Sequence, residues 1–153
     1  MSFDVTIYET ALADGMPRPL ALCIVAQSKH ETNDYTSDIF LDCNNAFGYR
    51  VVTSSCVLNP GYQNYNSVAE STHEITAWIK RRLSEGNFPP LNQVVTVDQY
   101  AQILKDNGYY EDTLANYLAG LKRWYVDNIG VSSGLIAVAL AIGAYLFFKY
   151  RKK

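Results

Sequence analysis

Metal-ligating residues are scarce in this chain. Among its 153 residues are two histidines and three cysteines, and Cys23, Cys43 and Cys56 form neither a C-x-x-C pair nor a zinc spacing, so no metal site is expected. A P-loop and a G-x-G-x-x-G turn are also missing, and no cofactor is predicted. Basic residues are few over most of the length. Four of the 13 lysines and arginines, Lys149, Arg151, Lys152 and Lys153, crowd the last five positions, leaving nine against 15 acidic groups elsewhere. A body that acidic is a poor partner for nucleic acid, because binding phosphates needs a basic face, and polyanionic substrates are disfavoured for the same reason. Internal repeats and low-complexity linkers are absent. Residues 1–10 hold Asp4 and Glu9, no basic group and no apolar run of seven, so they do not read as a signal peptide.

Charge is missing altogether from one long stretch. Residues 129–148 are 20 consecutive uncharged positions, and at about 1.5 Å per residue a helix there reaches about 30 Å, the hydrocarbon thickness of a bilayer. Trp124 and Tyr125 before it, and Tyr145 and Tyr150 towards its far end, suit the two interfaces. The basic tail, set against Asp127, predicts a C-terminus on the cytoplasmic or equivalent interior side. The expectation is a single-pass membrane protein with a folded domain over 1–127 and a transmembrane anchor with a basic tail over 128–153. Gly130-x-x-x-Gly134 and Ala139-x-x-x-Gly143 permit close helix pairing, with a second copy or with other proteins of a virion membrane.

The domain itself reads as α+β and predominantly helical. Phe3, Ile7, Tyr8 and Leu12 at helical spacing predict a helix over 3–13, stopped by Asp14-Gly15. After Met16-Pro17-Arg18-Pro19, a second helix carries Leu20, Ala21, Ile24, Val25 and Ser28. It is apolar on most sides, so it belongs in the middle of the domain, and it ends near Glu31-Thr32-Asn33. Cys23 lies in this helix as a small core residue. Ser37 or Asp38 caps a short helix through Leu41. Residues 49–58, rich in Val51, Val52, Thr53, Cys56 and Val57, and residues 62–65 beyond the turn Asn59-Pro60-Gly61, predict a small β-hairpin. Cys43 and Cys56 flank it and either pair, in an oxidising compartment, or stay as thiols; the odd cysteine count names no compartment. Capping-box spacings at 67–70 and 96–99 open helices reaching about Glu85 and Gly108, and Asp112 or Thr113 opens a last one with Leu114, Tyr117, Leu118, Leu121, Trp124 and Tyr125. The first of these three is expected to bury Ala69, Thr72 or His73, Thr76, Trp78 or Ile79, and Leu83, with Lys80-Arg81-Arg82 on its wet side.

One carboxylate stands apart by its setting. Glu31 lies where the apolar helix emerges, ahead of the Asn-rich, Gly-terminated turn Cys43-Asn44-Asn45-Ala46-Phe47-Gly48-Tyr49. Breaking a glycosidic bond needs a proton delivered to the leaving oxygen, and a carboxyl does this near neutral pH when burial raises its pKa. Several pieces around Glu31 carry a resemblance. They are the helix end His30-Glu31-Thr32, the block Asn44-Asn45-Ala46-Phe47-Gly48-Tyr49, Tyr65-Asn66-Ser67-Val68 with Glu70-Ser71, Tyr100 with Leu104 through Gly108-Tyr109, and Tyr117-Leu118. In these the chain resembles the glucosaminidase family of peptidoglycan hydrolases, the group with the flagellar muramidase and the Bax-type proteins in the lysozyme-like superfamily. The resemblance implies a lysozyme-like domain acting on peptidoglycan glycan strands, with Glu31 as catalytic acid. It also implies that Asn45, Phe47 and Gly48 shape the cleft floor, and that Tyr117 or Tyr109 is a cleft tyrosine able to hydrogen-bond near the scissile sugar. Core packing is the alternative role for Phe47 and Tyr109, and turn formation for Asn44 and Asn45.

One departure from the family pattern has chemical weight. Many members carry a second glutamate in the hairpin, whereas residues 49–65 here contain no Asp or Glu. A hydrolase needs two carboxyls across the sugar. A single-Glu route is therefore favoured, in which the substrate's own 6-hydroxyl attacks and a 1,6-anhydro sugar forms, as in lytic transglycosylases of the same fold. Asp34, Asp38 or Asp42 supplying the missing charge would restore hydrolysis. His30 is expected on a different helix face from Glu31, about 100° away, and His73 is expected to be packed or solvated within its helix. The expected function is cleavage between N-acetylmuramic acid and N-acetylglucosamine by an enzyme tethered to a virion membrane or a bacterial inner membrane, suiting a bacteriophage protein for host penetration or lysis. The alternative is a glycan-binding structural membrane protein without catalysis.

Overall fold

The computed structural model describes residues 2–50, 53–94, 96–127 and 129. They form six helices, α1 (Phe3–Ala13), α2 (Arg18–Thr32), α3 (Asp38–Cys43), α4 (Val68–Ser84), α5 (Val97–Asp106) and α6 (Leu114–Trp124), with a 3₁₀ turn at Leu91–Gln93. The expected membrane span over 129–148 and the basic tail lie outside the described residues, Ile129 excepted, and Ile129 is buried. Among the described residues no helix is long and apolar enough to cross a membrane.

The centre of the domain is α2. Every residue from Leu20 to Ser28 is buried, the all-round burial that its all-round apolar sequence requires. Helices α1, α5 and α6 pack against it, α4 packs on α1, and α5 packs on α6. Pro19 sits in the first turn, where its missing N–H leaves no hydrogen bond unmade. The exit from α2 is unusual: Asn33, Asp34 and Tyr35 all have positive φ, at 49°, 58° and 66°, a conformation that a bulky residue such as tyrosine disfavours. The contacts around them hold it. Thr32 Oγ1 accepts from the Tyr35 N–H at 2.9 Å, the Thr32 carbonyl accepts from the Thr36 and Ser37 N–H groups, and the Tyr35 ring packs in a cluster with Phe3 and Phe40.

Two expected apolar faces are met in part: Ile7 and Tyr8 of α1, and Thr72, Thr76, Trp78 and Ile79 of α4, are buried as expected. On α1 the buried residues are Ile7, Tyr8 and Ala11, while Phe3 and Leu12 are largely exposed; α2 and α4 cover a single stripe, and Ala11 lets them approach. On α4 the buried stripe is Val68, Ser71, Thr72, Ile75, Thr76, Trp78 and Ile79, and His73 points outward to Asp14, Nδ1 to Oδ2 2.8 Å. The Thr96–Gln99 capping box closes in both directions. At the start of α4, Ser67 caps the Glu70 N–H, but the Glu70 carboxylate reaches back to the Asn66 N–H and side chain rather than to Ser67.

The expected β-hairpin is the main correction. Among the described residues there are no strands, and the excursion over 49–65 makes two isolated antiparallel bridges, Arg50 to Tyr62 and Ser55 to Gln63. Backbone bonds cross it from the Cys56 N–H to Tyr62, from the Gln63 N–H to Tyr49 and from the Asn64 N–H to Ser54, and side chains take further backbone groups. Gln63 Oε1 accepts from the Thr53 N–H at 3.1 Å and from the Ser54 N–H at 3.5 Å, and Asn45 Nδ2 donates to the Tyr49 and Gln63 carbonyls at 2.8 and 3.0 Å. Cys43 and Cys56 are joined as a disulfide across a separation of 13 residues, while Cys23 is a buried free thiol whose pKa burial pushes up to about 12. Closing a loop of this size stabilises the fold by about 3 kcal/mol on the chain-entropy account. Replacing both Cys43 and Cys56 by serine is therefore expected to lower unfolding free energy by about that amount in urea titrations followed by circular dichroism. An unchanged midpoint would show that the tie contributes nothing.

Candidate active site

Glu31 lies in the last turn of α2, half-buried, and two other parts of the chain close over its carboxyl group. From α6, the Tyr117 hydroxyl donates to Glu31 Oε1 at 2.6 Å. From the turn after α3, Gly48 lies over the other oxygen: a Cβ at that position would stand 3.7 Å from Glu31 Oε2. Gly48 also has φ of 67°, so a side chain there is disfavoured by the backbone. Burial raises the Glu31 pKa above the ordinary glutamate range, and the Tyr117 hydrogen bond offsets only part of that rise. The position near the carbonyl end of α2 acts in the same direction as burial, since that end disfavours negative charge.

Around this carboxyl runs an open cleft of about 730 Å³, walled by residues 47–50, by Trp78 of α4, by residues 108–112 and by His30, Glu31 and Tyr117. Its walls are braced by aromatic rings. Tyr110 stacks on Tyr117 with centroids 3.7 Å apart and planes within 8°. The Tyr109 hydroxyl donates to the Phe47 carbonyl at 2.8 Å, and the Tyr109 ring meets Trp78 edge-on at 5.4 Å. Lys105 Nζ donates to the carbonyls of Glu111 and Asp112 at 3.1 and 2.6 Å, fixing the loop that carries them. Beneath the floor, Tyr100 donates to Gln27 Oε1 at 2.5 Å.

The residues singled out in the sequence divide into two groups. Glu31, Phe47, Gly48, Tyr109 and Tyr117 come together as cleft walls. Asn45 does not line the cleft. It is 1% exposed, and its amide binds the backbone of Phe47, Tyr49 and Gln63, so it holds the wall from behind. Nor do Asp34, Asp38 and Asp42 line it: Asp34 pairs with Lys29 at 3.0 Å and Asp42 accepts from Asn59 at 2.9 Å. The carboxylates that do share the cleft with Glu31 are Glu111 and Asp112, which lie 80 positions along the chain and carry no helical periodicity to mark them. Their only sequence signal is the compact run Tyr109-Tyr110-Glu111-Asp112 between a glycine stop and a threonine cap.

His30 is also corrected. It lines the same cleft as Glu31. The ring meets Tyr117 edge-on at 4.9 Å, and it occupies the space a side chain at Gly120 would need, since a Cβ there would collide with the imidazole. Among the described residues no group of three or more His, Cys, Asp and Glu side chains is fit to hold a metal ion. No known protein family, curated protein or solved structure matches the chain.

The raised Glu31 pKa has a consequence for stability. A carboxyl whose folded pKa exceeds its unfolded value binds more protons in the folded state, so its contribution is fully present below the unfolded value and is lost as pH rises through the folded one. Glu31→Gln removes that loss while keeping an acceptor for Tyr117. The variant is expected to melt higher than the wild type at about pH 7, with the difference shrinking towards about pH 4. A difference independent of pH in calorimetry would refute the linkage.

Proposed function

We propose that the chain is a peptidoglycan-cleaving enzyme, held at a membrane by residues 129–148, in which Glu31 protonates the oxygen between N-acetylmuramic acid and N-acetylglucosamine. The observation that carries this reading is one carboxyl group, raised in pKa by burial and pinned by Tyr117 under Gly48, at the floor of a cleft walled by aromatic rings. Aromatic faces suit the apolar faces of sugar rings, and the open cleft suits a polymer that enters from the side. The favoured course is lytic transglycosylation, in which the 6-hydroxyl of the muramic residue attacks its own anomeric carbon.

A second reading, hydrolysis, is supported by Glu111 and Asp112. They face the same cleft and would supply the second carboxylate that water activation or a covalent intermediate requires.

The full chain, held in detergent and incubated with purified sacculi, tests both. Mass spectrometry of the soluble products is expected to show anhydro-muropeptides; reducing ends would select hydrolysis instead, and no release of muropeptides would overturn the enzyme reading. Glu31→Gln is expected to slow release by at least about 100-fold, the scale of a lost general acid, with its circular dichroism unchanged.

A further inference from the structure

We propose that His30 is the general base of this cleft, taking the proton of the hydroxyl that attacks the anomeric carbon while Glu31 protonates the leaving oxygen. The inference rests on the glycan-cleaving reading above and fills the place left by the missing hairpin carboxylate. His30 and Glu31 are chain neighbours, yet both line the one cleft. The contacts of the imidazole are with Tyr117, edge-on, and with Gly120 of α6, beside which both ring nitrogens lie, and neither contact supplies a side-chain hydrogen bond to those nitrogens. Its placement is specified rather than incidental: Gly120 leaves the room the ring occupies, and Tyr117, the residue that pins Glu31, supports the ring from its edge.

The surroundings match the role. The titratable and charged groups around the cleft are Glu31 beside His30 on α2, Tyr117 on α6, Tyr109, Tyr110, Glu111 and Asp112 in the preceding loop, and Tyr49 and Arg50 on the opposite wall. Burial lowers the His30 pKa, and the Asp112 charge opposes that shift in part. Glu31 moves the other way. The two shifts run in opposite directions, and each favours the state an acid and a base must occupy at once, a carboxyl with its proton and an imidazole without one. In the reaction, the bond from the muramic C1 to O4 of the departing sugar breaks and a bond from C1 to O6 forms. The Glu31 proton goes to O4 and the 6-hydroxyl proton goes to a ring nitrogen of His30. Exchange with solvent then restores both groups.

The sacculus assay, run with full-length protein across a pH series, decides the matter. His30→Gln is expected to slow muropeptide release by at least about 100-fold, and its residual rate is expected to lose the decline that protonation of the imidazole causes on the acid side of the wild-type profile. Asp112→Asn keeps His30 but removes the charge that favours its protonation, so one break of the profile is expected to move to lower pH; this second variant decides the case if His30→Gln fails to fold. An active wild type with a near-normal His30→Gln rate, or with a profile that Asp112→Asn leaves in place, would overturn the role of His30 alone. A wild type that releases no muropeptides would overturn it together with the function on which it rests.

Discussion

A carboxyl group removed from water must find a donor or keep its proton, and the hydrogen bond from Tyr117 to Glu31 is where this chain meets that demand. The bond spans 86 positions and joins the last turn of α2 to the first turns of α6. Its strength depends on everything that keeps solvent out: the all-round burial of α2, the stack of Tyr110 on Tyr117, and the glycine at 48 that brings backbone down over the second oxygen. The donor is itself deeply buried, and burial, followed by the neighbouring carboxylate, holds the Tyr117 hydroxyl well above the ordinary phenol range. The tyrosine therefore keeps its proton, and stays a donor, beyond the pH at which an ordinary phenol ionises.

The opposite wall is made without a sheet. A segment rich in β-branched residues is expected to pair as a ladder, but here a few backbone bonds are supplemented by two amide side chains, Asn45 and Gln63, which bind further backbone groups. Both are buried, so each hydrogen bond is made in a setting where leaving a partner unpaired costs about 1–3 kcal/mol. Such a wall follows the course its side chains dictate and need not keep the regular twist of paired strands. It delivers Phe47 and Gly48 to the carboxyl while Tyr109 holds it from the far side.

Much of the helical scaffold is legible from local chemistry. The bounds of α1, the Thr96 box of α5 and the Thr113 cap of α6 all follow from short-range signals, because each depends on a hydroxyl and an N–H three residues apart. Glu31, Phe47, Gly48, Tyr109 and Tyr117, singled out in the sequence, line one cleft. What was not legible depends on packing between distant segments. Helical spacing alone turns His30 away from Glu31, yet both line one cleft, with the imidazole set against Gly120 of α6. Phe3 and Leu12 share a stripe with Ile7 by periodicity, but the neighbours of α1 cover a narrower band. Glu111 and Asp112 reach the cleft because Lys105 grips their carbonyls, a contact no spacing rule encodes.

The tie between Cys43 and Cys56 encloses the stretch that carries Gly48 to Glu31. In covalent terms the cleft wall is a closed ring. Exposed loop tips are where proteases cut, and the exposed pair Val57 and Leu58 lies just beyond this ring. A cut within the ring opens it into a single bridged thread and separates nothing, while a cut at Val57 leaves the ring whole and still joined to α3. Either way the wall stays attached to the body that holds the acid.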